Sequence, residues 1–248
     1  MSKRSLLAAV VLAFTSMSEA FAGPGEDLLA KVEKALSNFS DQTTTFTVLN
    51  LKPGTSTPQS MEFIARVKGK KSFTEFLAPG DLKGTRVLAL SPTEIYVYLP
   101  EFQKIRRVAS STTEQGFMGT VLTQQDMAPP QYIAMFDVAN YEDAGSNVVL
   151  TLKAKPGVEV VYKTMKMTVR KDLSVPTRID YLSESGGLVR TETRDGYQCQ
   201  NGYCMFGTMM MVDHARGGAW TQLRPTSLKV NTGLVDDMFT QRTLQYGM

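Results

Sequence analysis

His214, Cys199 and Cys204 are the first side chains to weigh for chemistry, because the chain has one histidine and two cysteines. His214 closes the strand-like run MVDHARGG, with Asp213 beside it. Neighbours along a strand point to opposite faces, so the two form no dyad. One histidine and two cysteines fall short of an ordinary zinc site. No Gly-x-Ser-x-Gly elbow, Walker-type loop or Gly-x-Gly-x-x-Gly turn occurs. Glu114 and Asp126 could work as a carboxylate pair, but nothing in the sequence brings them together. The expectation is a protein that is not an enzyme and has no cofactor or metal.

The cysteines fit a different purpose. They flank CQNGYC, and Asn-Gly is the strongest short hairpin signal because a type I′ turn needs positive φ at both central residues. With Asn201-Gly202 as the turn, Gln200 faces Tyr203 and Cys199 faces Cys204. Opposed Cβ atoms lie about 4.5–5.5 Å apart, close enough for twist to complete a disulfide. The spacing is not Cys-x-x-Cys, so a redox-active pair is the weaker reading. So small a loop is worth only about 2 kcal/mol. Reducing the bond is expected to lower stability modestly and leave binding unchanged.

An oxidising compartment is indicated at the start of the chain. Lys3 and Arg4 precede nine apolar residues, Leu6 to Phe14, and Ala20-Phe21-Ala22 offers a small-x-small cleavage site. That pattern predicts a cleavable signal peptide over 1–22, with cleavage near Ala22, too short in its apolar part to span a bilayer. Residues 23–248 are then one soluble, exported domain, expected to be monomeric. Removing Lys3, Arg4 and Glu19 from 27 basic and 24 acidic residues leaves 25 and 23, a net charge of +2. So even a balance excludes nucleic acid as the natural partner.

Glu26 to Leu36 spaces Leu28, Leu29, Val32 and Leu36 as an amphipathic helix. Beyond it the period drops to two. Phe46 and Val48 share one face, and Met61, Phe63, Ala65 and Val67 share another. Turn residues such as Pro53-Gly54, Ser185-Gly186-Gly187 and Arg216-Gly217-Gly218 separate the runs. The pattern predicts a mainly β chain (α+β): an antiparallel meander of about ten or eleven strands, one helix before it and one short helical insertion within it. So long a sheet must curl. With few helices to cover it, its concave side is expected to hold the only core.

Fourteen methionines, one of them the initiator, supply flexible and polarisable side chains. Met165, Met167 and Val169 share a strand face. Phe206, Met210 and Val212 are read as one face of a later strand, and Met205, Met209 and Met211 as the other. Methionines suit either gap filling in an ordinary core or an adaptable apolar cavity for a greasy ligand. Its expected lining is Phe46, Val48, Phe63, Phe117, Met118, Leu122, Met165, Met167, Phe206 and Met210.

The insertion carries a more specific signal. Arg106 to Met127, RRVASSTTEQGFMGTVLTQQDM, resembles a signature of the LolA-like outer-membrane lipoprotein-sorting proteins. Arg107, Ser110, Ser111, Phe117, Met118, Gly119 and Asp126 match it, and Thr120, Leu122 and Thr123 are conservative replacements. Val121, Gln124 and Gln125 depart from it and remove two acids. The closing segment LVDDMFTQRTLQ is similar to the family's final Phe-Thr-x-x-x-Leu. The resemblance implies a highly curved half-barrel with a helical lid over an apolar cavity. It further implies periplasmic handling of lipid or lipoprotein acyl chains, beside an inner-membrane exporter of the resistance-nodulation-division type. Locally, Gly119 permits a close turn, and Thr123 with Asp126 has capping-box spacing. Two functions are carried forward: a soluble lipid or lipoprotein carrier, and a non-carrier interaction module such as an envelope sensor or exporter accessory subunit.

Overall fold

The computed structural model describes residues 23–91, 93–108, 116–123 and 125–247. The expected leader over 1–22, together with Ser110, Ser111, Glu114 and Gln124, lies outside the described residues.

Helix α1 (Pro24–Ser37) starts with Pro24 in its first turn, where the missing N–H costs nothing, and with Glu26 and Asp27 facing the positive end of the dipole. Leu29, Val32 and Ala35 are its buried stripe. Gly25 is buried too, and a Cβ there would lie 2.7 Å from Val138 Cγ1. Glycine at this position therefore lets the helix close on the sheet.

Fifteen strands follow. The first six are β1 (Asp41–Leu51), β2 (Gln59–Lys68), β3 (Lys71–Ala78), β4 (Arg86–Ser91), β5 (Glu94–Leu99) and β6 (Lys104–Arg107). After a short helix, α2 (Tyr132–Met135), come β7 (Phe136–Ala144), β8 (Asn147–Ala154), β9 (Thr164–Arg170), β10 (Val175–Leu182) and β11 (Leu188–Asp195). A small hairpin, β12 (Gln198–Gln200) with β13 (Tyr203–Met205), precedes β14 (Thr208–Asp213) and β15 (Ala219–Val230). Helix α3 (Gln241–Tyr246) ends the chain's regular structure.

Thirteen strands make one large curved antiparallel sheet, ordered β6-β5-β4-β3-β2-β1-β15-β14-β11-β10-β9-β8-β7. The architecture is the expected one, with more strands than periodicity reveals. Strand β7 lies at an edge and is mostly exposed, so its apolar alternation is limited to Phe136 and Val138 before the register shifts at Val138/Asn140. Pro225 interrupts the period of β15, and it sits where the register with β1 shifts at Thr45/Phe46, as a proline inside a sheet must.

The topology has one consequence for the site. Strands β6 and β7 follow one another in sequence but stand at opposite edges of the sheet. The connection between them must therefore travel from edge to edge, and its described residues Val121, Leu122 and Tyr132 pack on the concave face, the side on which α1 also packs.

The concave core includes Val48, Val87, Leu150, Leu152, Met167 and Met211. It is not the only core, contrary to expectation. Phe73 and Leu88, both 0% exposed, point to the convex side of β3 and β4, where Phe239 and Leu244 cover them. The closing segment thus folds back over the outside of the sheet. Asp41 anchors it, accepting from Thr232 N (2.8 Å), Thr232 Oγ1 (2.9 Å) and Gly233 N (2.8 Å). Thr240 then caps α3 by accepting from Thr243 N. Among the described residues no helix is long and apolar enough to cross a membrane.

Candidate functional site: a roofed cavity on the concave face

Between α1, the sheet and the crossing connection lies a cavity of about 660 Å³. This is within the range that holds small-molecule ligands, about 300–1,000 Å³. Of the ten residues expected to line it, Phe46, Phe63, Leu122, Met165 and Phe206 do. Val48 and Met167 belong to the same core but lie behind the wall. Met118 is half-buried against that core and does not reach the cavity. The side chain of Phe117 lies outside the described residues.

Met210 stands on the other face of β14, and Met209 and Met211 are the residues that line the cavity. The face assignment along this stretch is thereby corrected. Strand β13 ends at Met205 and β14 begins at Thr208, so Phe206-Gly207 breaks the strand and resets its parity. Phe206 and Met209, not Phe206 and Met210, end up on one side.

The disulfide hairpin is part of the wall. Cys199 pairs with Cys204 and Gln200 with Tyr203, as Asn-Gly predicts, with φ of 53° at Asn201 and 77° at Gly202. The cysteine Cα atoms are 4.0 Å apart and bonded. Tyr203, Cys204 and Met205 all line the cavity. The bond therefore borders the cavity, which bears directly on the expectation that reducing it leaves binding unchanged. Asn38, just past α1, donates to the carbonyl of Asn201 at 2.8 Å and ties the hairpin to the helix.

The roof is the crossing connection. Among its described residues are two short 3-10 turns, Phe117–Gly119 and Gln125–Met127, followed by α2. Met118 (φ 51°) and Gly119 (φ 77°) make the sharp bend for which glycine is suited. Thr123 and Asp126 form the expected reciprocal box. Thr123 N donates to Asp126 Oδ2 at 2.6 Å, and Asp126 N donates to Thr123 Oγ1 at 3.3 Å. Val121 and Leu122 are buried, at 4% and 3% exposure, so this part plugs the core as well as covering the cavity. Of the positions that depart from the family pattern, Val121 is core and Gln125 accepts from Val161 N at 3.2 Å.

Polar groups hold the roof down, and they do not show in apolar periodicity. Asn50 and Thr221, both 0% exposed, sit side by side on β1 and β15. Asn50 Nδ2 donates to Gly119 O at 2.9 Å, and Val121 N donates to Thr221 Oγ1 at 3.0 Å. Further along, Arg190 Nη2 donates to Asp126 Oδ2 at 3.1 Å.

Strand β11 brings charge inward. Arg190, Glu192 and Arg194 share its concave face by period two, and Glu192 and Arg194 line the cavity. Arg194 is ion-paired with Glu192, whose other oxygen accepts from Tyr181 Oη at 2.9 Å. Burial pulls the Arg194 guanidinium down, but Glu192, Tyr132 and Tyr197 outweigh it and hold the pKa above the ordinary arginine value. Burial also pushes the Tyr132 phenol up to about 12, so it stays a neutral donor. The cavity wall is therefore largely apolar, with the Glu192–Arg194 pair set into it. The run Arg190-x-Glu192-x-Arg194 was the available signal, since all three must share a face.

His214 contacts Thr191 Oγ1 at 2.9 Å, and Thr191 donates to Asp180 at 2.9 Å. Asp213 instead pairs with Arg216. His214 and Asp213 form no dyad, as strand parity requires.

The curved antiparallel sheet around a roofed cavity is a LolA-like fold. A family model described only as an uncharacterized protein matches residues 68–246, and the chain belongs to that family. A domain from Vibrio parahaemolyticus named for outer membrane lipoprotein sorting is 23% identical, with a TM-score of 0.77, over 89% of this chain and 98% of its own. A DUF1329 family protein from Desulfovibrio piger is 22% identical, with a TM-score of 0.77, over 89% and 97%. A LolA superfamily protein from Nitrosomonas europaea is 18% identical, with a TM-score of 0.74, over 90% and 100%. No curated protein matches the chain.

Proposed function

We propose that this protein is a periplasmic carrier that holds the acyl chain of a lipid or lipoprotein in the concave cavity and hands it on. The observation that carries the reading is the cavity itself: about 660 Å³, walled by Phe46, Phe63, Met165, Phe206, Met209 and Met211, under a roof held by buried Val121 and Leu122 and by side-chain hydrogen bonds. Each CH₂ taken from water contributes about 0.8 kcal/mol, so an acyl chain of about fourteen such groups gains about 11 kcal/mol before ordering costs. Methionines let the wall adapt to chains of different length. A roof that can detach lets the chain leave again.

The compartment is part of the proposal. The apolar leader, the disulfide and the lipoprotein-sorting name of a structural relative support an exported, periplasmic protein. Transfer to or from an inner-membrane exporter of the resistance-nodulation-division type is the partnership proposed.

Mass spectrometry of organic extracts from the natively purified protein tests the reading. Acyl lipid near one equivalent per chain is expected. An empty protein that also refuses fluorescent fatty acyl probes, yet cross-links to one stable protein partner, would favour the interaction module instead.

A further inference from the structure

Arg190 is 1% exposed, and its place in the fold is unusual for so buried a charge. It does not line the cavity itself, but the three side chains around it, Asp126, Tyr162 and Tyr181, all do. Its guanidinium lies 5.5 Å from the Tyr162 ring centre and 5.6 Å from that of Tyr181. The Tyr162 hydroxyl is a further hydrogen-bond partner. Asp213, directly across the strand pair, is engaged by Arg216. The anion bonded to Arg190 is Asp126, which belongs to the roof and not to the sheet.

That bond leaves the guanidinium incompletely used. Asp126 Oδ2 already accepts from Thr123 N and Thr123 Oγ1, and Arg190 Nη2 is its third donor. Arg190 Nε, on the same edge of the planar fork as Nη2, is buried with no partner. A carboxylate or phosphate meeting that edge squarely takes both hydrogens in a bidentate pair, which is stronger than a single bond. Asp126 cannot do so while it caps Thr123.

We infer that Arg190 is a headgroup site for an acyl amphiphile carrying one anionic group, a carboxylate or a phosphate ester, which replaces Asp126 as the roof lifts. The inference rests on the carrier reading. A buried guanidinium stripped of its carboxylate is strongly disfavoured, so a neutral amphiphile that displaces Asp126 leaves an uncompensated charge. An anionic one restores the pair and adds the Nε bond. Asp126 then acts as an internal stand-in for the ligand, and lifting the roof and binding the headgroup become one exchange.

Calorimetric titration of the mature protein with palmitate, palmitoyl lysophosphatidate and neutral monopalmitoylglycerol tests this. The wild type should bind both anions about ten-fold or more tighter than the neutral ester. Asp126→Asn, which removes the competitor, should tighten both anions by about ten-fold and leave the ester unchanged. Arg190→Gln should abolish the preference; if it fails to fold, Asp126→Asn decides alone. Equal affinity for all three amphiphiles in the wild type and in Asp126→Asn overturns the headgroup site while leaving the carrier standing. Competition by inorganic phosphate as strong as that of lysophosphatidate overturns it too, in favour of a free-anion site. Failure of all acyl probes to bind removes the carrier reading and this inference together.

Discussion

Thr221 donates its hydroxyl hydrogen to Asn50 Oδ1 at 2.7 Å, and neither residue has any surface in contact with solvent. The pair joins the two halves of the sheet at β1 and β15 and then turns outward to hold the roof. Thr221 Oγ1 accepts from Val121 N while the Asn50 amide donates to Gly119 O. One hydroxyl and one carboxamide thus satisfy two backbone groups of the roof, Val121 N and Gly119 O.

Thr221→Val keeps the shape and removes the hydroxyl. It orphans the Val121 amide and Asn50 Oδ1 together, and an unsatisfied buried group costs about 1–3 kcal/mol. Chemical denaturation should show a loss of that order. Hydrogen exchange should show the Val121 amide opening faster while the amides of β9 stay protected. Unchanged exchange at Val121 would mean that the roof is held elsewhere.

Asp41 makes a pH prediction. Burial pushes its carboxyl up, but bonds from Thr232, Gly233 and Leu234 outweigh that and leave the pKa below the ordinary value of 3.8. A carboxyl depressed by folding adds stability that is fully present above its unfolded value, about 3.9, and is lost as pH falls through the folded value. Stability of the wild type should therefore drop more steeply below about pH 4 than that of Asp41→Asn, which should be the less stable of the two at pH 7. Parallel acid-unfolding curves would contradict this anchoring of the closing segment.

The hairpin was the most legible element in the sequence, because Asn-Gly between cysteines fixes turn, register and bond at once. Periodicity likewise shows the meander and the inward faces of β1, β2 and β9. It fails where the pattern carries little apolar contrast. Edge strand β7 has only Phe136 and Val138 as inward apolar contrast at its start and is exposed beyond, and β11 turns Arg190, Glu192 and Arg194 inward, which inverts the usual rule. The convex core was hidden for another reason: Phe73 and Leu88 acquire their cover from Phe239 and Leu244, more than a hundred residues away. Asp126 was visible as a cap, but its bond to Arg190 joins positions 64 residues apart and only the fold brings them together.

The bridge between Cys199 and Cys204 should matter for retention as well as stability. Opening it should cost about 2 kcal/mol. It should also free Tyr203 and Met205 to move, so bound acyl probe should be released faster after reduction. The measurement is probe dissociation with and without reductant. An unchanged release rate beside a lowered melting temperature would confine the hairpin to a structural role.

The most direct test of the carrier reading is photo-cross-linking with a fatty acid that bears a diazirine at mid-chain, followed by peptide mapping. The predicted adducts fall on concave residues such as Phe63, Leu122, Met165 and Met209, and Met210 on the opposite face stays unlabelled. Labelling confined to exposed apolar residues such as Leu188 and Val235, or no labelling at all, would contradict an acyl chain in the cavity.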